Sequence, residues 1–328
     1  MRDIAKRPGE RTLTTLGAVA VAGAAAFAYG SLVERNRFTL RREYLGILKP
    51  GADPLRILHI SDLHMAPWQH LKQGWVAALA ELEPDFIVNT GDNLGHVDGL
   101  SGVRRALDPF AGIPGVFVNG SNDYYGPVLK NPFNYLTGVK NVSRSPQHLD
   151  TGALESYFED SLGWVSLNNR AAEIRVGETL FELFGVNDAH RGWDRLERLP
   201  AAIEELREND EDDLPVGGVV SIGVTHAPYR RVLDAFVTYG ASAIFAGHTH
   251  GGQVRIPGLP ALVTNCDIPR EQAQGLSAWS HAGHDSWLNV SAGLGTSIYA
   301  PVRFACPPEA VLVTLTGSDV TLEDIGYS

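Results

Sequence analysis

The chain predicts an α/β layered fold: two mixed β-sheets flanked by helices, with ligands gathered beyond the strand ends. Three observations carry this expectation. From Pro54 onward, short apolar runs of strand length alternate with stretches of helical period. Most of those runs end in a polar loop containing Gly, where ligands collect in such folds. The second half adds strand-like runs with no helix between them, which suggests antiparallel additions to the sheets.

The chain has 328 residues, 44% hydrophobic and 20% charged, so it can bury a sizeable core. Its 27 Lys and Arg against 38 Asp and Glu give a net charge of −11, a poor match for nucleic acid. No nucleic-acid partner is expected. Cys266 and Cys306 are too few for a disulfide scaffold, and two inert thiols are expected unless the domain is exported and they pair.

At the N-terminus, Leu13–Val33 carries no charge and is about as long as the ~20 residues that span a bilayer as a helix. The expected organisation is a short basic tail over 1–12, a transmembrane signal anchor over 13–33, a linker over 34–53 and one domain over 54–328. A cleaved leader stays open, because Ala26 and Ala28 flank Phe27 as in an A-x-A site; a buried helix is the bland alternative. Four cations precede the run and four follow it, so charge gives no orientation. The leader-like start leans the expectation towards a single-pass protein of the cell membrane with its domain outside.

Leu55–Ser61, Asp85–Asn89, Gly115–Asn119, Val219–Thr225 and Ser242–Ala246 read as buried strands. Trp68–Leu82 reads as a helix that stops at Pro84. Gly163–Leu167, Ala172–Val176, Thr179–Phe184, Trp287–Ser291 and Ala310–Thr316 read as the added strands. Glu204–Asp213 reads as a solvated helix end and loop.

Chemistry concentrates at the strand ends. Asp62 and His64, Gly91-Asp92, Gly120-Ser121-Asn122-Asp123, His226, and Gly247-His248-Thr249-His250 each follow a strand. Residues two apart in extended chain point the same way, so Asp62 and His64 can face one ion, as can His248 and His250. Carboxylates and imidazoles are the ligand set of Zn, Mn or Fe. Each item alone is weak; five in order at strand ends are not. His190, just past another strand end, is a candidate for the substrate's vicinity, and Tyr124, Tyr125 and Trp193 could wall a cleft. His59 is expected in the core, and His70, His96, His148, His281 and His284 at the surface.

This series, with GHTHGGQ over Gly247–Gln253, resembles the calcineurin-like metallophosphoesterase family from Leu55 to Thr316. GLGTS followed by PVRFACPPEAVLVTL is similar to the tail of its bacterial membrane-associated branch, some of whose members hydrolyse the pyrophosphate of UDP-diacylglucosamine. The resemblance implies a four-layer αββα sandwich and a metal-dependent phosphoester hydrolase acting on a phosphodiester, pyrophosphate or lipid-linked phosphate. It implies Asp62, His64 and His250 on one divalent ion, His226 and His248 on a second, and Asp92 bridging them, with an activated water as nucleophile. The alternatives are a metal-binding protein of this fold with little turnover, or a released soluble phosphatase.

One departure stands out. The family writes Gly-Asn-His-Asp where this chain has Gly120-Ser121-Asn122-Asp123. Aligned on its ends, Ser121 falls on the metal-ligand Asn, and Asn122 falls on the His that assists the leaving group. Asn122 can hydrogen-bond a phosphate oxygen but cannot act as an acid near pH 7. A local shift that brings Asn122 itself to the metal is the other possibility.

Overall fold

The computed structural model describes residues 8–127, 146–209 and 216–320. Strands β1 (Thr39–Leu48), β2 (Leu55–Ile60), β3 (Phe86–Asn89), β4 (Gly115–Phe117), β5 (Val165–Ser166) and β12 (Glu309–Gly317) form one six-stranded sheet, ordered β1-β12-β2-β3-β4-β5. The second sheet contains β6 (Arg170–Val176), β7 (Thr179–Val186), β8 (Val219–Thr225), β9 (Ala243–Ala246), β10 (Gly275–His281) and β11 (His284–Val290), ordered β10-β11-β9-β8-β7-β6. Strands β2, β3 and β4 run parallel, as do β7, β8 and β9, so each trio presents its C-terminal ends together.

The sheets pack face to face. Ile57, Val88 and Val116 of the first meet Phe181, Ile222 and Phe245 of the second, and the Phe86 and Phe181 rings lie edge to face at 5.2 Å. Strand β7 is buried at every position, which is why its sequence lacks alternation: both faces are covered. Helices α2 (His70–Ala78) and α3 (Leu100–Leu107) cover the first sheet through Val76, Val103 and Leu107. The helices Leu199–Asn209 and Arg230–Thr238 cover the second through Leu199, Ile203, Val232 and Phe236. Helix, sheet, sheet and helix are the four expected layers.

The N-terminal expectations change. Among the described residues no helix is long and apolar enough to cross a membrane, so the transmembrane anchor over 13–33 is not supported. Helix α1 (Pro8–Leu32) does form, but Ala and Gly dominate it; Ala favours helix while adding little apolar area. Its last turn sits on the domain. Gly30 packs so closely that an added Cβ would lie 2.6 Å from the Arg303 carbonyl, and Tyr29 meets Phe304 edge to face at 6.2 Å. The tail over 1–7 lies outside the described residues, as do 210–213 of the acidic stretch.

Residues 34–53, expected as a linker, instead hold a short 3₁₀ turn at Glu34–Asn36 and edge strand β1, parallel to β12. The strand escaped the apolar pattern because Arg41, Arg42 and Glu43 occupy its middle. Arg41 is not a solvent charge: it pairs with Glu309 at 3.2 Å and donates to Asn289 Oδ1 at 3.0 Å. Buried Glu34 accepts from the Cys306 amide at 2.7 Å, tying this segment to the loop before β12. Glu34→Ala is expected to lose about 1–3 kcal/mol, because it leaves that buried amide without an acceptor; urea unfolding of the purified protein measures it.

Candidate metal centre

The strand-end loops converge where the two sheets meet. Asp62 and His64 follow β2, Asp92 follows β3, Asn122 is the second residue of the short helix α4 (Ser121–Tyr124) after β4, His226 follows β8, and His248 and His250 follow β9. Asp62, His64 and His250 form one group whose ligand atoms lie within 4.8 Å of one another; Asp62, Asp92 and His226 form another. Asp92 Oδ2 stands between them, 3.5 Å from His64 Nε2 and 3.5 Å from His226 Nε2. His250 Nε2 is 3.5 Å from Asp62 Oδ1 and 3.2 Å from His64 Nε2. His248 Nδ1 lies 3.2 Å from His226 Nε2.

Five of these residues, Asp62, His64, Asp92, His248 and His250, adopt positive φ, between 40° and 67°. A non-glycine residue pays about 1–3 kcal/mol for such a conformation, and it persists where surrounding packing dictates it. Asp62 and His64 do converge, but not along extended chain. Sharp left-handed turns, not a straight strand, aim both side chains at one point.

The residues fit divalent ions. Asp62 Oδ1 is fully buried and has no hydrogen-bond partner among the described residues, an acceptor waiting for a cation. The far nitrogens of the second group are committed to carbonyls. His226 Nδ1 donates to Thr90 O at 2.8 Å, and His248 Nε2 to Asn265 O at 3.4 Å, so each ring in its neutral form turns its other nitrogen, with a free lone pair, to the centre.

Protonation follows from burial and neighbours. Burial, opposed by Asp92, brings His64 down to about 4. Burial and then Arg303 bring His250 down to about 3, so both imidazoles are neutral at pH 7. At His226 the cost of burying a charge is outweighed by Asp92, Asp62 and Asp188, which raise it to about 9. Asp92 answers in kind: burial is outweighed by His226, His64 and two hydrogen bonds from Asn122, which hold its carboxyl well below the usual range. Asp62 is raised, by burial first.

Asn122 is the member of its turn that reaches the centre. Its backbone amide donates to Asp92 Oδ1 at 2.8 Å and its side-chain amide to Oδ2 at 2.6 Å. The Ser121 hydroxyl touches none of these groups among the described residues. Asp123 points backwards, its carboxylate accepting from the amides of Asp92, Asn93, Leu94 and Gly120 and shaping two loops at once. His190 is brought to the rim, its ring 4.5 Å from that of His248 and its Nδ1 3.0 Å from the Tyr229 hydroxyl. Tyr124 and Trp193 pack edge to face at 4.9 Å, and the Tyr125 ring lies 5.9 Å from that of Trp193, one aromatic cluster beside α4. His59 is a satisfied core residue, held by Thr90 and Asn289.

The profile of the family described as calcineurin-like phosphoesterase matches residues 55–252, every strand end that carries this cluster. The chain belongs to the calcineurin-like phosphoesterases. It is similar to phosphodiesterase YaeI of Escherichia coli (strain K12), 26% identical over 303 residues that cover 91% of this chain and 96% of that one. It is similar also to the uncharacterized metallophosphoesterase YkuE of Bacillus subtilis (strain 168), 22% identical over 306 residues, 90% of each chain. Among solved structures, TT1561 of Thermus thermophilus aligns with a TM-score of 0.40 at 13% identity, covering 74% of this chain and 91% of that one. This calcineurin-like phosphoesterase is a hydrolase acting on phosphoester bonds.

Sequence reasoning missed the residues that stand behind the cluster. Buried Lys72 of α2 donates to the Leu63 and His64 carbonyls under the first loop. Buried Arg303 donates to the carbonyls of Ala292, Gly293 and Gly295 behind His250. Neither has a signature beyond a charge in an otherwise apolar stretch.

Metal affinity is expected to depend on pH through His226. Without metal it keeps its proton until about pH 9, so an arriving ion must displace that proton. Affinity for Mn²⁺ should rise by up to about tenfold per pH unit from 7 towards 9. Calorimetric titration at pH 7 and pH 8 measures this, and a pH-independent affinity would remove His226 from the ligand set.

Proposed function

We propose that this calcineurin-like phosphoesterase hydrolyses a phosphodiester or pyrophosphate with a dinuclear centre of Mn, Fe or Zn. The observation that carries the reading is Asp92 Oδ2, equidistant at 3.5 Å from a histidine of each group. One carboxylate oxygen so placed suits a bridge. Asp62, His64 and His250 are the residues to hold one ion, and His226, His248 and Asn122 the other. Two ions held there would supply a water acidic enough to give hydroxide near pH 7, and would neutralise phosphoryl oxygens.

The chain's own residues do the rest. Asp62 and Asp92 concentrate negative charge where the cations are needed. His64 and His250, neutral at pH 7, offer lone pairs without first losing protons. Asn122, tied to Asp92 through its N–H groups, would offer its carbonyl oxygen as the ligand in place of Ser121, and the position expected to hold an acid carries none. Good leaving groups are therefore favoured, since general acid assistance is typically worth about 10²–10⁴-fold. The name phosphodiesterase on the similar E. coli protein favours the diester. A lipid-linked phosphate is the second reading, favoured by exposed Phe27 and Leu32 on α1.

Asp92→Asn should cost more than the about 10–100-fold that follows loss of an outer-shell partner, because both metal sites weaken together. Bis(4-nitrophenyl) phosphate hydrolysis in excess Mn²⁺ tests it, and a variant keeping half its rate would end the dinuclear reading. In the same assay Asn122→Ala should lower both metal content and rate, while Ser121→Ala leaves both near the wild-type values. The reverse result would restore Ser121 as the ligand.

A further inference from the structure

Beside the metal centre lies an open cavity of about 570 Å³, within the range of small-molecule sites. It shares its wall with the cluster. Asn265, which lines the cavity, accepts from His248 Nε2 at 3.4 Å. Tyr229, also in the wall, donates its hydroxyl to the Asn265 carbonyl at 3.3 Å and meets His190 Nδ1 at 3.0 Å. A phosphoryl group held at the centre would thus carry its organic substituent past His248 and His190 into this space.

The lining sets the chemistry of the occupant. Val263 gives the rim an apolar patch, 40% exposed. Leu262 adds to that patch, the buried Thr264 turns its hydroxyl to the Cys266 carbonyl, and Asp267 and Arg270 supply polar surface; among the described residues the exposed Arg270 guanidinium makes no hydrogen bond or ion pair. The Asp267 carboxylate is engaged by the Arg230 amide at 2.8 Å. A long acyl chain would strip water from these groups without replacing its hydrogen bonds. A sugar or nucleoside has both a hydrogen-bonding edge and an apolar face.

We infer that this cavity binds the organic group of the phosphoester substrate, a polar group of nucleoside size, between Val263 and Arg270. The inference rests on the proposed phosphoester hydrolysis and adds its substrate class. Its test is calorimetric binding of thymidine 5′-phosphate and of methyl phosphate to the manganese-loaded full chain, for wild type, Val263→Trp and Arg270→Ala. Wild type should bind the nucleotide at least about tenfold more tightly than methyl phosphate. Val263→Trp should erase that preference and Arg270→Ala reduce it, with methyl phosphate affinity unchanged in both. Equal wild-type affinities, or a preference untouched by both variants, would overturn the cavity assignment while leaving the hydrolase reading standing. A wild-type protein that binds neither ligand and hydrolyses no phosphoester would overturn both.

Discussion

Two carboxylates, Asp62 and Asp92, are buried side by side at the seam of the sheets, and the strand-end architecture follows from holding them there. Burying a carboxylate costs several kcal/mol unless positive charge or hydrogen bonds answer it. For Asp92 the answer is local: protonated His226 and two bonds from Asn122. For Asp62 it is incomplete, since Oδ2 accepts from Ser61 and the His248 amide while Oδ1, facing His250 Nε2 at 3.5 Å, has no hydrogen-bond donor among the described residues. The loops can crowd this closely only where side chains are missing. A Cβ on Gly247 would lie 2.5 Å from Asp62 Oδ2, and one on Gly293, whose φ is +68°, would lie 2.5 Å from Asp62 Cβ. Those glycines let one sheet's loops reach the other's carboxylates.

The layers and the cluster were legible because both are written in short-range patterns. Apolar runs of four to eight residues marked the central strands, and a polar residue after each run marked its site. Val219–Thr225 was read to the residue. What failed was whatever depends on partners distant in sequence. Strand β1 carries three charges: Arg42 faces solvent, while Arg41 is held by Glu43 and by Glu309, 268 residues away. Strand β10 is a polar edge strand whose alternation is too weak to show. The left-handed turns of five candidate ligands carry no local signal either, because Asp and His are not residues that advertise positive φ as Gly does.

The N-terminal segment changes meaning once its contacts are known. Read alone, it is a hydrophobic leader and a spacer. In the fold, Gly30 accepts from the Arg303 amide at 3.2 Å, Glu34 accepts from Cys306, and Arg41 reaches Glu309, whose Oε1 also takes the Ala292 amide. Arg303 in turn gathers the carbonyls of Ala292, Gly293 and Gly295. The segment therefore braces the loop lying behind His250 and Asp62. A guanidinium is suited to that place, because its planar fork serves several carbonyls at once while its charge lowers the proton affinity of His250.

In the Gly120–Asp123 turn it is the second helical residue, Asn122, that meets Asp92. Gly120 is extended at φ −101° and ψ 173°, and helix α4 begins at the next residue. The first residue of that turn, Ser121, leaves the centre, whereas the second brings both its backbone and its side-chain amide to Asp92. Asp123 anchors the turn from behind, so the turn cannot rotate to exchange the two. An Asn in the second place thus meets the carboxylate that an Asn in the first place cannot, at the expense of the acid that the resemblance puts there. Among the described residues the imidazole at the opposite rim is His190, packed on His248 and hydrogen-bonded to Tyr229. The loop after β4 thus presents an amide to Asp92, and the loop after β7 presents an imidazole at the rim.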